Sequence, residues 1–590
     1  MKITWPGGTC AAPPCPVCDQ PGPFDVVLQT AEPDSTLVRC GRCTARFFPG
    51  QVPPDYAADK PASLFVQFYA EQNAGLHQMI RPLWQIDAAA HGIDSLLDVG
   101  CGFGFPVDTA ARVLGWRAVG VDPSFFADAG REMLGADIRR CYLTEQTDVG
   151  PPFGMVLAME LIEHIPDLYP FMALMRRHIA PGGVLVMGTP HAGGISPETN
   201  PGTLAPMLTV GAHLVLFTAP AMEFYLRRAG FQHVVCRVEE QTLFVFASDR
   251  PLVFLPGEAA AHAGYVTYLQ CLIDGAAPGS TLWNGAAGRL LGAMVDAGPL
   301  DAVLALYARI ASAWRERFGI DLVRQRLPPV RAERDFGVTG PDLVERLRAE
   351  APINLPAVLY HRTVLERRMP VATPESIVAH ARLAMVYAGQ SYRALRDYGL
   401  VDHHLRDCAW QARVTILDQF TLLAPELEPS LLLSLVHPSP EGRADMLDPP
   451  RPVVVVRLAG VFNRLVHDGR YEEATALYPA LDNLDAVTGA LAHDPMVLFH
   501  ALFCVGVLRL NHLGAPGAAR DAFTRMRDEA VARLNSPRPD LARHFQGVAE
   551  DHIRLVQDPL PAPVPAAPVP AAPVPAAPTR AAAPRRARRV

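Results

Sequence analysis

The sequence has no uninterrupted apolar run of the ~20 residues that a helix needs to cross a bilayer. Its first residues, MKITWPGGTCAAPP, lack the basic start and apolar stretch of a secretory leader. It also lacks a strong charge of either sign, since 53 Lys and Arg stand against 60 Asp and Glu for a net charge of −7. No membrane span is expected, and nothing in the overall charge argues for nucleic acid or an anionic surface as partner. The expected location is the cytoplasm. A disulfide framework is missing too. The 11 cysteines are odd in number, and several, such as Cys271 and Cys504, sit inside apolar runs where a reduced thiol serves as a small buried hydrophobe.

What is present is enough apolar material, 49% of 590 residues, for three or four folded units. The first 50 residues are rich in Pro, Gly and Cys and form a segment of their own. A helical pattern runs from Ser63 to about Ala90. Short β-like runs then alternate with helical ones up to about residue 250. Strands are expected at Ser95–Val99, Arg117–Val121, Ile138–Leu143, Phe153–Met159, Val184–Gly188, Val234–Val238 and Leu243–Ala247. Helices are expected between them, at Val107–Leu114, Phe126–Leu134, Leu168–Ile179 and Ala221–Ala229. This alternation predicts an α/β fold with a mainly parallel sheet. The last two strands have no helix between them and should form an antiparallel hairpin at one edge.

Beyond Pro251 the strand signal fades. Residues 251–557 read as helices, including Asp301–Phe318 and Glu375–Leu395. Two helix–turn–helix stretches, Val461–Leu481 and Phe499–Met526, look like tetratricopeptide-type hairpins, although their spacing departs from the 34-residue repeat. A separately folded helical domain that docks a partner protein is expected. Residues 558–590 end the chain in a Pro/Ala repeat, Pro561–Pro578, and a basic cluster, RAAAPRRARRV. That composition predicts an extended tail that acts as a solubiliser or an electrostatic tether.

The stretch LLDVGCGFG, Leu96 to Gly104, places three glycines where a strand hands over to a helix. Glycine there lets the backbone approach a ligand closely, and the helix start offers free N–H groups. The spacing Gly100, Gly102, Gly104 does not match the dinucleotide order G-x-G-x-x-G. Asp98 just upstream would repel a pyrophosphate but suits an amino-bearing ligand. A second strand ends in Asp122, a carboxylate able to accept both hydroxyls of a ribose.

With these residues the sequence resembles the class I S-adenosylmethionine-dependent methyltransferases. The matching motifs are the D-x-G-x-G-x-G run at Asp98, Gly100, Gly102 and Gly104, Asp122 in VGVDPS, AMELIEHIPD, IAPGGVLVMGTP, and HLVLFTAPAMEFYLRRAGF. The resemblance covers roughly residues 95 to 248. It implies a Rossmann-like methyltransferase domain over 51–250, with S-adenosylmethionine held by the loop (Asp98, Gly100, Cys101, Gly102, Gly104), by Asp122 at the ribose and by Glu160. One departure is Gly154 in FGMV, where the family often has Asp. Glu145 is a weak candidate for the adenine.

Cys15, Cys18, Cys40 and Cys43 form C-x2-C-x21-C-x2-C. Four thiolates at that spacing can close a structural Zn²⁺ site, supplying folding energy to a segment too short for its own core. A pair of redox motifs is the alternative. Four cysteines ahead of this type of domain resemble bacterial deoxysugar and glycan-pathway methyltransferases, which implies a sugar or nucleotide-sugar acceptor. The helical region after Pro251 does not resemble the carboxy-terminal domain of those enzymes. The EHIPD motif is shared with small-molecule O-methyltransferases of quinone pathways, which imply a different acceptor. A non-enzymatic scaffold is the third reading.

Methyl transfer to a hydroxyl or carbon acid needs a base near the strand ends. His164, His213 and His191 occupy such positions, with Glu160 and Glu163 beside the first. Phe68, Tyr69, Phe103 and Phe105 are aromatic candidates for core or for an acceptor platform.

Overall fold

The computed structural model of the chain describes residues 3–58, 68–71, 76–239, 241–328, 349–397, 408–419 and 452–557, apart from a few single positions within these ranges. The Pro/Ala tail and its basic end lie outside the described residues, as does much of the stretch from Ser63 to His77.

Seven strands form the central sheet: β6 (Ser95–Val99), β7 (Arg117–Val121), β8 (Ile138–Arg139), β9 (Phe153–Met159), β10 (Ile179–Pro190), β12 (His233–Glu239) and β13 (Thr242–Ser248). Their order is β12-β13-β10-β9-β6-β7-β8. The five from β10 to β8 run parallel, and β12–β13 is the expected antiparallel hairpin at the edge. β8 is shorter than the pattern predicts. Its only partner, β7, ends at Val121 opposite Arg139, so residues beyond it have no ladder to join. β6 is buried at every position, as a strand covered on both faces must be.

Crossover helices fall at Phe105–Arg112, Phe125–Leu134, Leu168–Arg177 and Ala219–Arg228, each within about two residues of expectation. Gly154 explains the departure from the family pattern. A Cβ there would stand 2.9 Å from Ile93 Cα, so β9 approaches that backbone too closely for a side chain. The Gly154 amide donates to Ser95 Oγ at 3.0 Å, and that bond ties β9 to β6.

A second sheet is built from the N-terminal segment: β1 (Ile3–Thr4), β2 (Thr9–Cys10), β3 (Phe24–Ala31), β4 (Asp34–Arg39) and β5 (Arg46–Phe47), closed by β11 (Val215–Leu216). β11 is supplied by the chain just after His213 and pairs antiparallel with β5. The buried cysteines, Val17, Phe24 and Phe47 form one continuous core with Leu97, Val156, Met172 and Phe217. The N-terminal segment therefore shares the core of the α/β domain.

The helical half expected over 251–557 divides in packing. Described residues up to 419 belong to the same compact unit as the sheet, and those from 452 belong to a second unit. In the first, the helix Ala259–Gly275 lies on the α/β domain, where Tyr268 is fully buried and donates to Asp108 at 3.0 Å. In the second, helices Pro452–His467, Pro495–Asn511, Pro516–Ala532 and Pro539–Gln557 pack around buried Phe462, Phe499 and Phe523. Both expected helix–turn–helix stretches are present in it, turning at Gly469 and Gly514.

Candidate functional site

Gly100, Gly102 and Gly104 have φ of +74°, +52° and +81°, values that L side chains adopt at a cost. Gly104 caps the helix Phe105–Arg112, and a Cβ on it would lie 2.2 Å from Ile138 Cδ1. Asp122 at the end of β7 locks this loop. One carboxylate oxygen accepts from the Gly102 amide at 2.9 Å, and the other accepts from the Ser124 amide at 2.8 Å and from the Ser124 hydroxyl. Asp98 lies buried at the end of β6, and burial, then the charge of Asp122, pushes its carboxyl up to about 8. A cationic amino group placed beside it would reverse that shift. Cys101 serves the loop from beneath. Its amide donates to Val121 O, its Sγ packs against Gly120, and burial pushes its thiol well up.

Beside this loop opens a cavity of about 1230 Å³. Single-ligand pockets commonly run to about 1,000 Å³, so the space suits two molecules side by side. Its walls include Gly100, Asp122, Phe126, Tyr142, Glu145 and Glu160 on one side, and Tyr56, Phe68, Tyr69, His164, Phe171 and Leu174 elsewhere. The four aromatic candidates divide here: Phe68 and Tyr69 line the cavity, while Phe103 and Phe105 are buried core. Glu145 lines the cavity and pairs with Arg177 at 2.7 Å.

At the end of β9 the backbone turns sharply. Glu160 has φ +50°, its amide donates to Gly188 O at 2.7 Å, and burial raises its carboxyl to about 7. The turn Ile162–His164 follows. Glu163 is fully buried. Thr189 Oγ1 donates to its Oε2 at 2.9 Å, while its Oε1 has no hydrogen-bond partner. Burial and the neighbouring Glu160 push the Glu163 carboxyl well above the carboxylate range.

His164 and His213 meet edge to face at 4.8 Å. Met207 O lies 2.9 Å from His213 Nδ1 and Ala212 O lies 3.1 Å from His164 Nδ1, so each ring can donate from Nδ1 to a carbonyl and leave Nε2 bare. Burial lowers both, and His213 reaches about 4. Both are therefore neutral at pH 7. The ligand atoms of Glu163, His164 and His213 lie within 4.8 Å of one another, a donor set that could also hold a divalent cation. His191 stands apart from this group: its amide donates to Gln241 O, its ring packs over Gly193 near Arg46, and it does not line the cavity.

The four cysteines are all buried, with Sγ–Sγ distances of 3.6 Å for Cys15–Cys43 and 3.5 Å for Cys18–Cys40. Tetrahedral thiolates at the usual Zn–S length of about 2.3 Å would stand about 3.7 Å apart. The two turns match each other. Asp19 and Thr44, each just after a C-x2-C pair, have φ of +57° and +66°, and their amides donate back to Cys15 O and Cys40 O. None of the four is in a disulfide, and Cys10 is not part of the cluster.

Tyr56 escaped sequence reading. It lies in a Pro-rich stretch with no motif, 108 residues before the histidine it touches. The only signal for it was an aromatic residue in an otherwise featureless linker.

The family model of the methyltransferase domain matches residues 56–236. The ubiquinone biosynthesis O-methyltransferase of Rhodopseudomonas palustris (strain BisB18) is 36% identical over 99 residues, 16% of this chain and 39% of that protein. The protein of the same name from Bradyrhizobium sp. (strain ORS 278) is 36% identical over 100 residues, again 39% of its length. This chain thus spans about two fifths of the curated relatives it matches. Among solved structures, a SAM-dependent methyltransferase from Archaeoglobus fulgidus is 14% identical, with 32% of this chain and all of that one covered at a TM-score of 0.25. Residues 56–236 are a methyltransferase domain of the class I, S-adenosylmethionine-dependent kind.

Proposed function

We propose that the chain transfers a methyl group from S-adenosylmethionine to a hydroxyl of a small acceptor, with His164 as the base. One observation carries this reading: a buried, neutral histidine lines the same cavity as the glycine loop and Asp122. S-adenosylmethionine, when bound, supplies a methyl group on a positively charged sulfur. Gly100, Gly102 and Gly104 admit its methionine part, Asp98 faces the amino group, and Asp122 accepts from the ribose hydroxyls. His164 Nε2 takes the acceptor proton as the oxygen–methyl bond forms, and Ala212 O holds the imidazolium through Nδ1. Glu163 and His213 brace that ring from the buried side.

Of the two acceptors that the sequence suggests, the wall favours the phenolic one. Tyr56, Phe68, Tyr69, Phe171 and Leu174 offer flat apolar surface suited to an aromatic ring. The relatives' names, O-methyltransferases of ubiquinone biosynthesis, support the same choice. A sugar or nucleotide-sugar acceptor is the competing reading. Incubation with methyl-labelled S-adenosylmethionine and a panel of catechols and nucleotide-sugars separates them. Label in a catechol supports the phenolic reading, label in a sugar replaces it, and label in neither rejects both acceptors.

A metal-assisted version of the same site draws on Glu163 Oε1, which is buried and has no hydrogen-bond partner. Activity that survives a chelator retains the His164 base without metal, and activity restored only by a divalent cation replaces it. For the cysteine cluster we propose structural zinc, supported by the Sγ separations and the paired turns.

A further inference from the structure

Tyr56 and Ala212 compete for one nitrogen. The Tyr56 hydroxyl lies 2.7 Å from His164 Nδ1, with the two rings edge to face at 5.4 Å. The Ala212 carbonyl lies 3.1 Å from the same atom. A carbonyl oxygen can only accept, so its contact requires Nδ1–H. The phenol can donate only to a bare Nδ1, and in a neutral ring the proton then sits on Nε2. The two contacts belong to opposite tautomers, and the base proposed above needs Nε2 bare.

We propose that Tyr56 is a positioning residue that sets the tautomer of His164. With Tyr56 in place, its hydroxyl donates to Nδ1, the ring proton rests on Nε2, and His164 is held out of use. When an acceptor entering the cavity displaces Tyr56, the proton moves to Nδ1 and is received by Ala212 O, and Nε2 becomes the base. This inference rests on the reading of His164 as base.

The chain around Tyr56 is built for such a movement. Its root is firm: the Phe48 amide donates to Leu214 O at 3.0 Å, and Gln51 Nε2 donates to His213 O at 3.0 Å. Its tip is held loosely, by Tyr142 to Asp55 and Arg140 to Ala57 O, both at 3.4 Å. Tyr56 also forms part of the cavity wall, so an acceptor presses on it directly. Burial first, then Glu163 and Tyr142, pushes the phenol up to about 12, which keeps it a donor. The other titratable groups facing His164 are Glu163 and His213, and neither touches Nδ1.

The test is long-range ¹H–¹⁵N correlation spectroscopy on the full chain labelled at histidine, with the His164 signals assigned by their loss in His164→Gln. Without ligand, the wild type should show His164 protonated at Nε2, and Tyr56→Phe should show it protonated at Nδ1. Tyr56→Leu provides the same comparison if Phe perturbs packing, and an unchanged melting temperature controls for folding in both. Tyr56→Phe should also raise kcat/KM about fivefold, the effect of one hydrogen bond no longer broken on binding. A wild type already protonated at Nδ1, or a tautomer unmoved in both Tyr56 variants, overturns the proposal. If the tautomer moves but His164→Gln retains full transfer, the base reading fails, and the gating role fails with it.

Discussion

The two sides of the cavity are built in different ways. The cofactor side comes from one stretch, Asp98 to Ser124, in which β6, a glycine loop, a helix and β7 follow each other and Asp122 hydrogen-bonds back to Gly102. The acceptor side is assembled from distant segments: Tyr56 from the N-terminal stretch, His164 after β9, and His213 before β11. The first is fixed by local backbone geometry, and the second depends on tertiary contacts between elements that could each exist without the others. The two sides should therefore fail separately, and substitutions can show whether they do.

The largest effect should come from the cysteine cluster. Cys40→Ser should abolish zinc binding, because a structural site needs all four thiolates. β5 pairs with β11 directly after His213, and Thr44 Oγ1 meets Thr218 Oγ1 at 2.6 Å. Loss of the metal should thus disorder the acceptor side and stop transfer, while S-adenosylmethionine still binds. Elemental analysis and calorimetry on the same sample check both halves, and wild-type protein free of zinc would remove the premise. His164→Gln comes next. Removing a general base should lower kcat by about 10²–10⁴ without changing cofactor affinity. A loss of affinity as large as the loss of kcat would show that the two sides are one.

On the cofactor side, Asp122→Ala removes charge-assisted hydrogen bonds worth about 1.5–3 kcal/mol each. Cofactor affinity should fall about 10- to 150-fold, while kcat at saturation changes little. Titration showing wild-type affinity would reject the ribose assignment. The smallest effect belongs to Asp98→Asn. The Asp98 carboxyl is raised from 3.8 to about 8 in the folded chain, so between those values the folded state holds a proton that the unfolded state has lost. The stability of the free protein must then decline as pH rises from about 4 to 8. Asp98→Asn should flatten that decline and melt higher than wild type at pH 8, yet bind cofactor less tightly. Parallel melting curves for the two proteins would contradict the assignment.

The same contrast explains what could be read from the chain. The glycine loop, Asp122, the sheet and its edge hairpin were legible because each depends on residues adjacent in sequence. The four cysteines were legible by spacing alone. His164 and His213 were legible as candidates, but their contact was not, because it depends on where the residues before β11 return. His191 showed the limit of position as evidence: it follows a strand end as His164 does, yet packs outside the cavity. Tyr56 carried no pattern. The break in packing after residue 419 was hidden for a related reason. A helix that covers the sheet and a helix in a separate unit have the same periodicity, and only Tyr268 on Asp108 distinguishes the first kind.

The central claim is that the cavity beside the glycine loop holds S-adenosylmethionine. Isothermal titration of the full chain with S-adenosylmethionine tests it most directly. The account predicts saturable binding with one molecule per chain, weakened by Asp122→Ala and unaffected by His164→Gln. Folded protein that gives no binding heat across several temperatures, or binding that Asp122→Ala leaves intact, would contradict it.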